Sequence, residues 1–158
     1  MLLNYQQKQT SLTEEDQKTD NIFVIHGLFG SLSNLSGISK ALQAQHNVIA
    51  VDLRNHGDSP QDKSATYQEM ASDIFELADK LNIDNFSVLG HSMGGKVAMS
   101  CALQQPGCGG HASAGAHFLH LIPKFPWIYK CKMGFRRDLC HRRRSDVIIL
   151  YIYRMFYA

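Results

Sequence analysis

The sequence predicts an α/β fold with a mostly parallel sheet and flanking helices. Short apolar runs rich in β-branched residues alternate with segments of helical periodicity along the first 105 of the 158 residues. This alternation implies crossover connections and therefore parallel strands covered on both faces. In an open sheet of this kind, functional residues follow the carboxyl ends of the strands.

The strands are predicted from continuous apolar runs. These runs are IFVI at 22–25, VIAVDL at 48–53 and FSVL at 86–89, and each has the composition of a strand buried on both faces. Residues 2–5 predict the start of an edge strand, and the polar run at 6–20 predicts a loop.

The helices are predicted from spacing. Apolar residues recur at i, i+3, i+4 and i+7 between residues 66 and 81, which is the pattern of an amphipathic helix. A short helical pattern covers 38–42, and another helix is predicted over 94–105.

Residues 106–158 form a segment of different composition. Residues 1–105 contain 7 Lys and Arg against 12 Asp and Glu, whereas residues 106–158 contain 9 against 2. Regular periodicity ends near Pro106, where HFLHLIP at 117–123 predicts one short strand and VIILYIY at 147–153 is apolar but only seven residues long. We therefore divide the chain into an N-terminal α/β part, 1–105, and an atypical basic tail, 106–158.

The compartment predicted from the sequence is the cytoplasm. The N-terminus has no basic start followed by an apolar core, and no stretch approaches the roughly 20 apolar residues of a membrane span. The four cysteines are then expected to be reduced thiols: Cys101, Cys108, Cys131 and Cys140.

One motif carries chemistry. Residues 90–94 read GHSMG, the pattern G-x-S-x-G, where the strand FSVL meets the next predicted helix. Small residues on both sides of Ser92 permit a tight turn that raises its hydroxyl above the sheet. Free N–H groups at the start of the following helix suit a developing oxyanion.

Three motifs in order resemble the α/β-hydrolase superfamily. HGLFG at 26–30, DLRNHGDS at 52–59 and GHSMGGK at 90–96 are most similar to those of small bacterial-type serine esterases and acyl-CoA thioesterases. The resemblance covers about residues 1–105. It implies an α/β-hydrolase fold, here C-terminally truncated, and cleavage of a small-molecule ester or thioester through an acyl-enzyme.

The resemblance also implies the roles of individual residues. Ser92 would be the nucleophile, and the backbone amides of Met93 and Leu28 would form the oxyanion hole, with Phe29 as the alternative donor to Leu28. The neighbouring motif residues would support this arrangement: His26, Gly27, Phe29, Gly30, Gly90, His91 and Gly94. Arg54, Asn55 and His56 are expected to hold their own turn by local hydrogen bonds.

The triad acid and histidine have no assigned position. In this superfamily the order is serine, acid, histidine, and the resemblance places the histidine well over a hundred residues beyond Ser92, whereas 66 residues follow it. The downstream candidates do not match: His111, His117, His120, His141, Asp138 and Asp146. We therefore expect impaired hydrolysis, and a sheet whose last strands are missing and whose apolar edge is uncovered.

No metal, organic cofactor, nucleic acid or membrane is implied as a partner, and the oligomeric state is left open. Two other readings stay open. The chain could be a non-catalytic truncated or frameshifted product, or its basic tail could bind nucleic acid or an anionic membrane. A zinc site is disfavoured because the cysteines and histidines lack short paired spacings: Cys101, Cys108, His111, Cys131, Cys140 and His141.

We predict that the change at Pro106 reflects a shift in reading frame or a rearrangement. Sequencing the gene and translating all three frames downstream of the Gln105 codon is the measurement. A second frame that continues with a strand, an acid, lid helices and a late histidine is the expected result. If no frame does so, the tail is genuine sequence and this prediction is wrong.

Overall fold

A computed structural model describes residues 1–10, 21–84 and 86–104 with their side chains, and beyond them the backbone of three short strands. One sheet contains seven strands: β1 (Tyr5–Lys8), β2 (Asn21–Ile25), β3 (Asn47–Val51), β4 (Phe86–His91), β5 (His117–Phe118), β6 (Tyr129–Met133) and β7 (Val147–Tyr151). Their spatial order is β1-β3-β2-β4-β7-β6-β5.

The centre of the sheet is parallel. Strands β3, β2, β4 and β7 run in the same direction, whereas β1 pairs antiparallel with β3, and β6 pairs antiparallel with β7 and β5. The predicted mostly parallel sheet is confirmed for the part that carries the motifs, with antiparallel strands added at both edges.

In the described part of the chain, two helices connect central strands and a third follows β4. A 3-10 turn at Leu32–Leu35 leads into α1 (Ser36–Leu42), between β2 and β3. Helix α2 (Tyr67–Lys80) connects β3 to β4, and α3 (Met93–Leu103) follows β4. Within the residues described, no helix is long and apolar enough to cross a membrane.

Alternating side chains of the central strands build a core on each face of the sheet. On one face, Phe23, Ile49 and Val88 pack with buried residues of α2 and α3. On the other, Val24 and Val48 pack with the apolar residues of the 3-10 turn and α1. Successive side chains of a strand point to opposite faces of the sheet, and here both faces are buried. These strands therefore have continuous apolar runs and not alternating ones.

Helix α2 begins at a capping box. Thr66 accepts a hydrogen bond from the Glu69 amide, and Glu69 accepts bonds from the Thr66 amide and hydroxyl. The Ser64 hydroxyl also donates to Glu69 at 2.6 Å. The Ser64 bond, together with the Thr66 bonds, lowers the pKa of Glu69 to about 2. The helix start predicted at residue 66 is therefore fixed by side chains as well as by apolar spacing.

Four strands differ from the sequence prediction. The edge strand is β1 at Tyr5–Lys8, not 2–5, because its bonds to β3 are between backbones and need no apolar side chains. The strand predicted to reach residue 53 ends at Val51, where the chain turns to make the contacts of Asp52 described below. Strands β6 at Tyr129–Met133 and β7 at Val147–Tyr151 lie in segments for which no strand was predicted.

The prediction of an uncovered sheet edge was wrong. Strand β7, the apolar run VIILY, pairs in parallel with β4, from Val88 with Val147 to His91 with Leu150. Strand β4 therefore has a neighbour on each side. A β-branched run has the composition that a central strand needs, and it occupies the edge that β4 would otherwise expose.

Candidate active site

Three strands end at the same edge of the sheet and bring the three motifs together. Ile25 at the end of β2 is in register with Val51 of β3 on one side and with Gly90 of β4 on the other. His26, Asp52 and Ser92 follow these strands closely. These three residues therefore lie at the sheet edge where the sequence predicts a functional site.

Ser92 lies on a sharp turn between β4 and α3. Its backbone has φ +54° and ψ −113°, and its side chain is exposed. Non-glycine residues rarely adopt a positive φ, and such strain persists only where the surrounding structure imposes it. The first residue of α3 is Met93, so the Met93 amide is among the helix N–H groups that lack an intrahelical acceptor.

Two glycines allow this turn to form. A Cβ on Gly90 would collide with the Gly94 carbonyl and would lie 2.5 Å from the Gly95 nitrogen. A Cβ on Gly94 would lie 2.5 Å from the backbone oxygens of both Ile25 and His26. Only glycine at these positions lets α3 begin directly over β4 and against the end of β2.

The chain after β2 forms a second turn beside the serine. The Gly30 amide donates to the Gly27 carbonyl at 3.0 Å, and a Cβ built on Gly27 would lie 3.3 Å from the Cβ of Ser92. Leu28 is 58% exposed and Phe29 is 93% exposed at φ +58°. The turn that contains both predicted oxyanion donors is thus adjacent to Ser92.

His26 is buried and hydrogen-bonded through both ring nitrogens. Nδ1 lies 2.7 Å from the Gly27 carbonyl oxygen, and Nε2 lies 3.1 Å from the Leu53 amide nitrogen, which donates to it. The ring is therefore neutral, with its proton on Nδ1. Burial lowers the pKa of His26, although its bond to Gly27 acts in the opposite direction.

Asp52 holds together the segments that surround these turns. Its carboxylate accepts bonds from the Asn4 side chain at 2.8 Å, the Leu32 amide at 2.6 Å and the Asp58 amide at 3.0 Å. Burial raises the pKa of Asp52, but these hydrogen bonds outweigh it and the pKa lies below its ordinary value. The carboxylate is charged and fully occupied by donors, which suits a structural role.

The loop after β3 forms more than the local bonds predicted for it. Asn55 and His56 do bond within the loop: the Asp62 amide donates to Asn55, and His56 Nδ1 lies 2.9 Å from the Arg54 carbonyl oxygen. Arg54 instead reaches helix α2, where its Nε and Nη2 donate to the two carboxylate oxygens of Asp73 at 2.6 and 2.8 Å. The loop is thereby fixed to the helix as well as to itself.

The described side chains include no base bonded to Ser92. No hydrogen bond joins its hydroxyl to another side chain in the part of the chain that the structure describes. His117 lies on β5, three strands from β4, which is roughly 14 Å at ordinary strand spacing. The other downstream candidates lie outside the described residues: His111, His120, His141, Asp138 and Asp146.

No metal centre is formed by the described side chains, among which no three of His, Cys, Asp and Glu are grouped as ligands. Cys101 is a free thiol in the core, and burial raises its pKa to about 12. The other five residues considered for zinc lie outside the described side chains.

Two contributors to the site had no strong sequence signal. The sequence placed His26 only as a supporting residue, and Asp52 only within the motif DLRNHGDS. Both act through backbone groups distant in the sequence, such as the Leu53 amide for His26 and the Leu32 amide for Asp52. The sequence signal for both residues was their position, because each is a polar residue directly after a buried strand.

Comparison with protein families gives one clear match. A family described as alpha/beta hydrolase fold matches residues 20–128. Esterase YbfF of Escherichia coli (strain K12) is 45% identical over 89 residues, which cover 56% of this chain and 35% of that protein. The sn-1-specific diacylglycerol lipase ABHD11 of Xenopus tropicalis is 46% identical over 87 residues, which cover 54% of this chain and 27% of that protein.

Solved structures agree with these relatives. A marine microorganism esterase is 34% identical with a TM-score of 0.55, covering 62% of this chain and 35% of that chain. A thermophilic esterase from Thermogutta terrifontis is 26% identical with a TM-score of 0.57, covering 65% and 35%. The chain thus spans about a third of the length of the proteins it matches, and the matches concern its N-terminal part.

The strained backbone of Ser92 predicts that two substitutions at this position differ in stability. Ser92→Gly should unfold with a free energy about 1 kcal/mol higher than Ser92→Ala, because glycine relieves roughly 1–3 kcal/mol of strain and loses somewhat less through its more flexible unfolded state. Urea denaturation of both variants followed by circular dichroism measures this difference. Equal or reversed stabilities would contradict the strained turn.

Proposed function

The chain belongs to the alpha/beta hydrolase fold family, and we propose that it is built as a serine hydrolase that cleaves carboxylic ester or thioester bonds through an acyl-enzyme. The observation that carries this proposal is the position of Ser92. Its exposed hydroxyl lies on a strained turn, between the first turn of α3 and the turn that follows β2. That arrangement supplies a nucleophile with two sets of backbone donors beside it.

In the proposed reaction, Ser92 Oγ attacks the carbonyl carbon of the substrate and passes its proton to a base. The carbonyl oxygen becomes an oxyanion that accepts hydrogen bonds from the Leu28 and Met93 amides. Collapse of this tetrahedral intermediate breaks the bond to the alcohol or thiol, which leaves with a proton. Water then attacks the acyl-serine, and a second tetrahedral intermediate releases the acid and restores Ser92.

The oxyanion donors should contribute most of the transition-state stabilisation that this chain offers to the reaction. Removing one such donor from a serine hydrolase typically lowers kcat by about 10²–10³. Here both proposed donors are backbone amides held by turns, Leu28 by the Gly27–Gly30 turn and Met93 by the start of α3. They are fixed before the substrate binds, which is the condition under which they act without reorganisation.

We propose that hydrolysis by this chain is slow because none of the described side chains is bonded to Ser92 as a base. An unassisted serine hydroxyl is a weak nucleophile near neutral pH, and its base and orienting carboxylate act as a unit with it. Catalysis by the oxyanion donors and binding alone still exceeds that of water by about 10³–10⁴ in other serine hydrolases. Slow but serine-dependent turnover is therefore the proposed behaviour.

The relatives support the same bond class. The two curated relatives are named as an esterase and a diacylglycerol lipase, and the two solved neighbours are titled as esterases. Thioesters share the acyl carbonyl at which the proposed chemistry takes place.

The division at residue 105 also remains a proposal. The change in charge and periodicity near Pro106 supports it. The family match covers residues 20–128. The gene sequence downstream of the Gln105 codon tests the proposed division.

Hydrolysis of p-nitrophenyl acetate and a short-chain acyl thioester should depend on Ser92. We expect the purified chain to cleave both above the buffer rate, and Ser92→Ala to reduce that excess by at least tenfold, because the acyl-enzyme cannot form. Initial rates measured by absorbance give the comparison. Ser36→Ala, an exposed serine at the start of α1, is the matched control and should retain the parent rate.

Equal rates for the parent chain and Ser92→Ala would contradict the proposed function and favour a non-catalytic product. A loss in both Ser92→Ala and Ser36→Ala would indicate a general effect on folding, which circular dichroism of the two variants detects.

A further inference from the structure

We propose that His26 is a positioning residue that orients the Leu28 amide toward the oxyanion, by bonding the carbonyl of the same peptide unit. This inference rests on the proposed function, in which the Leu28 amide is a donor. The juxtaposition that carries it is the contact of 2.7 Å between His26 Nδ1 and the Gly27 carbonyl oxygen.

The Gly27 carbonyl and the Leu28 N–H belong to one planar peptide. No described peptide bond is cis, so the oxygen and the hydrogen point in opposite directions. The Gly27 oxygen accepts two bonds, from His26 Nδ1 at 2.7 Å and from the Gly30 amide at 3.0 Å. With its oxygen held on that side, the peptide presents the Leu28 N–H on the opposite face.

The second ring nitrogen sets which nitrogen of His26 carries the proton. The Leu53 amide donates to Nε2 at 3.1 Å, so Nε2 is an acceptor and the proton is on Nδ1. The loop after β3 therefore determines that His26 can donate to Gly27. The bond makes His26 a link between that loop and the turn beside Ser92.

His26 is placed to position and not to react. Its side chain is 1% exposed, whereas Ser92 is exposed, and both of its nitrogens are already bonded to backbone groups. The ring of His56 lies 5.1 Å from it, centroid to centroid. A general base would need a free nitrogen facing the serine hydroxyl, and His26 has none.

The turn needs this support because its own sequence does not favour it. Phe29, the third residue of the Gly27–Gly30 turn, has φ +58°, a position at which glycine or asparagine is normally preferred. A bulky residue there costs of order 1–3 kcal/mol. Without His26, the Gly30 bond alone would hold this strained turn. The bond from His26 is the second hydrogen bond that fixes the Gly27–Leu28 peptide.

Two substitutions separate the two bonds of His26. Asparagine places an amide donor near the position of Nδ1, so His26→Asn can keep the bond to Gly27 and loses the acceptor for Leu53. Glutamine reaches the position of Nε2, so His26→Gln can keep the acceptor for Leu53 and loses the donor to Gly27. Both replace one buried ring by an amide and serve as controls for each other.

We expect His26→Gln to lower kcat of the Ser92-dependent hydrolysis by about 10²-fold with little change in KM, and His26→Asn to lower it by no more than about tenfold. A purely structural role would instead lower activity in both variants in proportion to their loss of stability, measured in parallel by urea denaturation. That result, or a greater loss in His26→Asn, would overturn the proposal.

Nuclear magnetic resonance of the parent chain tests the same inference without catalysis or mutation. The ring ¹⁵N shifts of His26 should show a protonated Nδ1 and an unprotonated Nε2, and a protonated Nε2 would overturn the proposal. Where the variants fold, the residual dipolar coupling of the Leu28 N–H should change in His26→Gln and stay within error in His26→Asn. If the couplings differ in this way but Ser92→Ala leaves hydrolysis unchanged, positioning by His26 stands and the proposed function fails.

Discussion

The structure around the serine depends on the contact between the β4–α3 turn and the end of β2. Gly94 lies so close to the carbonyls of Ile25 and His26 that a Cβ would fall 2.5 Å from either oxygen. This contact forces the positive φ of Ser92 and brings Gly27 beside it. Without it, α3 would begin further from the sheet, and Ser92 and the turn that follows β2 would lie apart.

Buried polar residues hold this contact in place. His26 bonds the turn after β2 to the loop after β3, Asp52 bonds that loop to Asn4 and to the Leu32 amide, and Arg54 bonds it to Asp73 of α2. Their charges and hydrogen bonds are satisfied by each other, by backbone groups or by neighbouring polar side chains. They hold the shape of the turns around Ser92, which is exposed and is the proposed nucleophile.

Much of the central fold could be predicted because each element has a local signal. The apolar runs predict β2, β3 and β4, and the apolar spacing predicts α2. The G-x-S-x-G pattern places Ser92 between a strand and a helix. Strand β1 was misplaced because polar residues form it through backbone bonds to β3. The pairing of β7 with β4 could not be predicted because an apolar run does not specify its partner.

The bonding of His26 and the reach of Arg54 to Asp73 could not be predicted for a related reason. Each depends on how closely two distant segments approach, 27 residues apart for His26 and Leu53 and 19 for Arg54 and Asp73. The sequence indicates that a polar residue follows a strand. The folded chain determines whether that residue reacts or positions another.

The most direct test of the account is the mass of the intact chain after brief exposure to p-nitrophenyl acetate and acid quenching, followed by peptide mapping. The account predicts one added acetyl group, located on Ser92 and absent from Ser92→Ala. No adduct, or acetyl groups distributed over lysines and other serines while Ser92 stays unmodified, would contradict the claim that this turn presents a nucleophile.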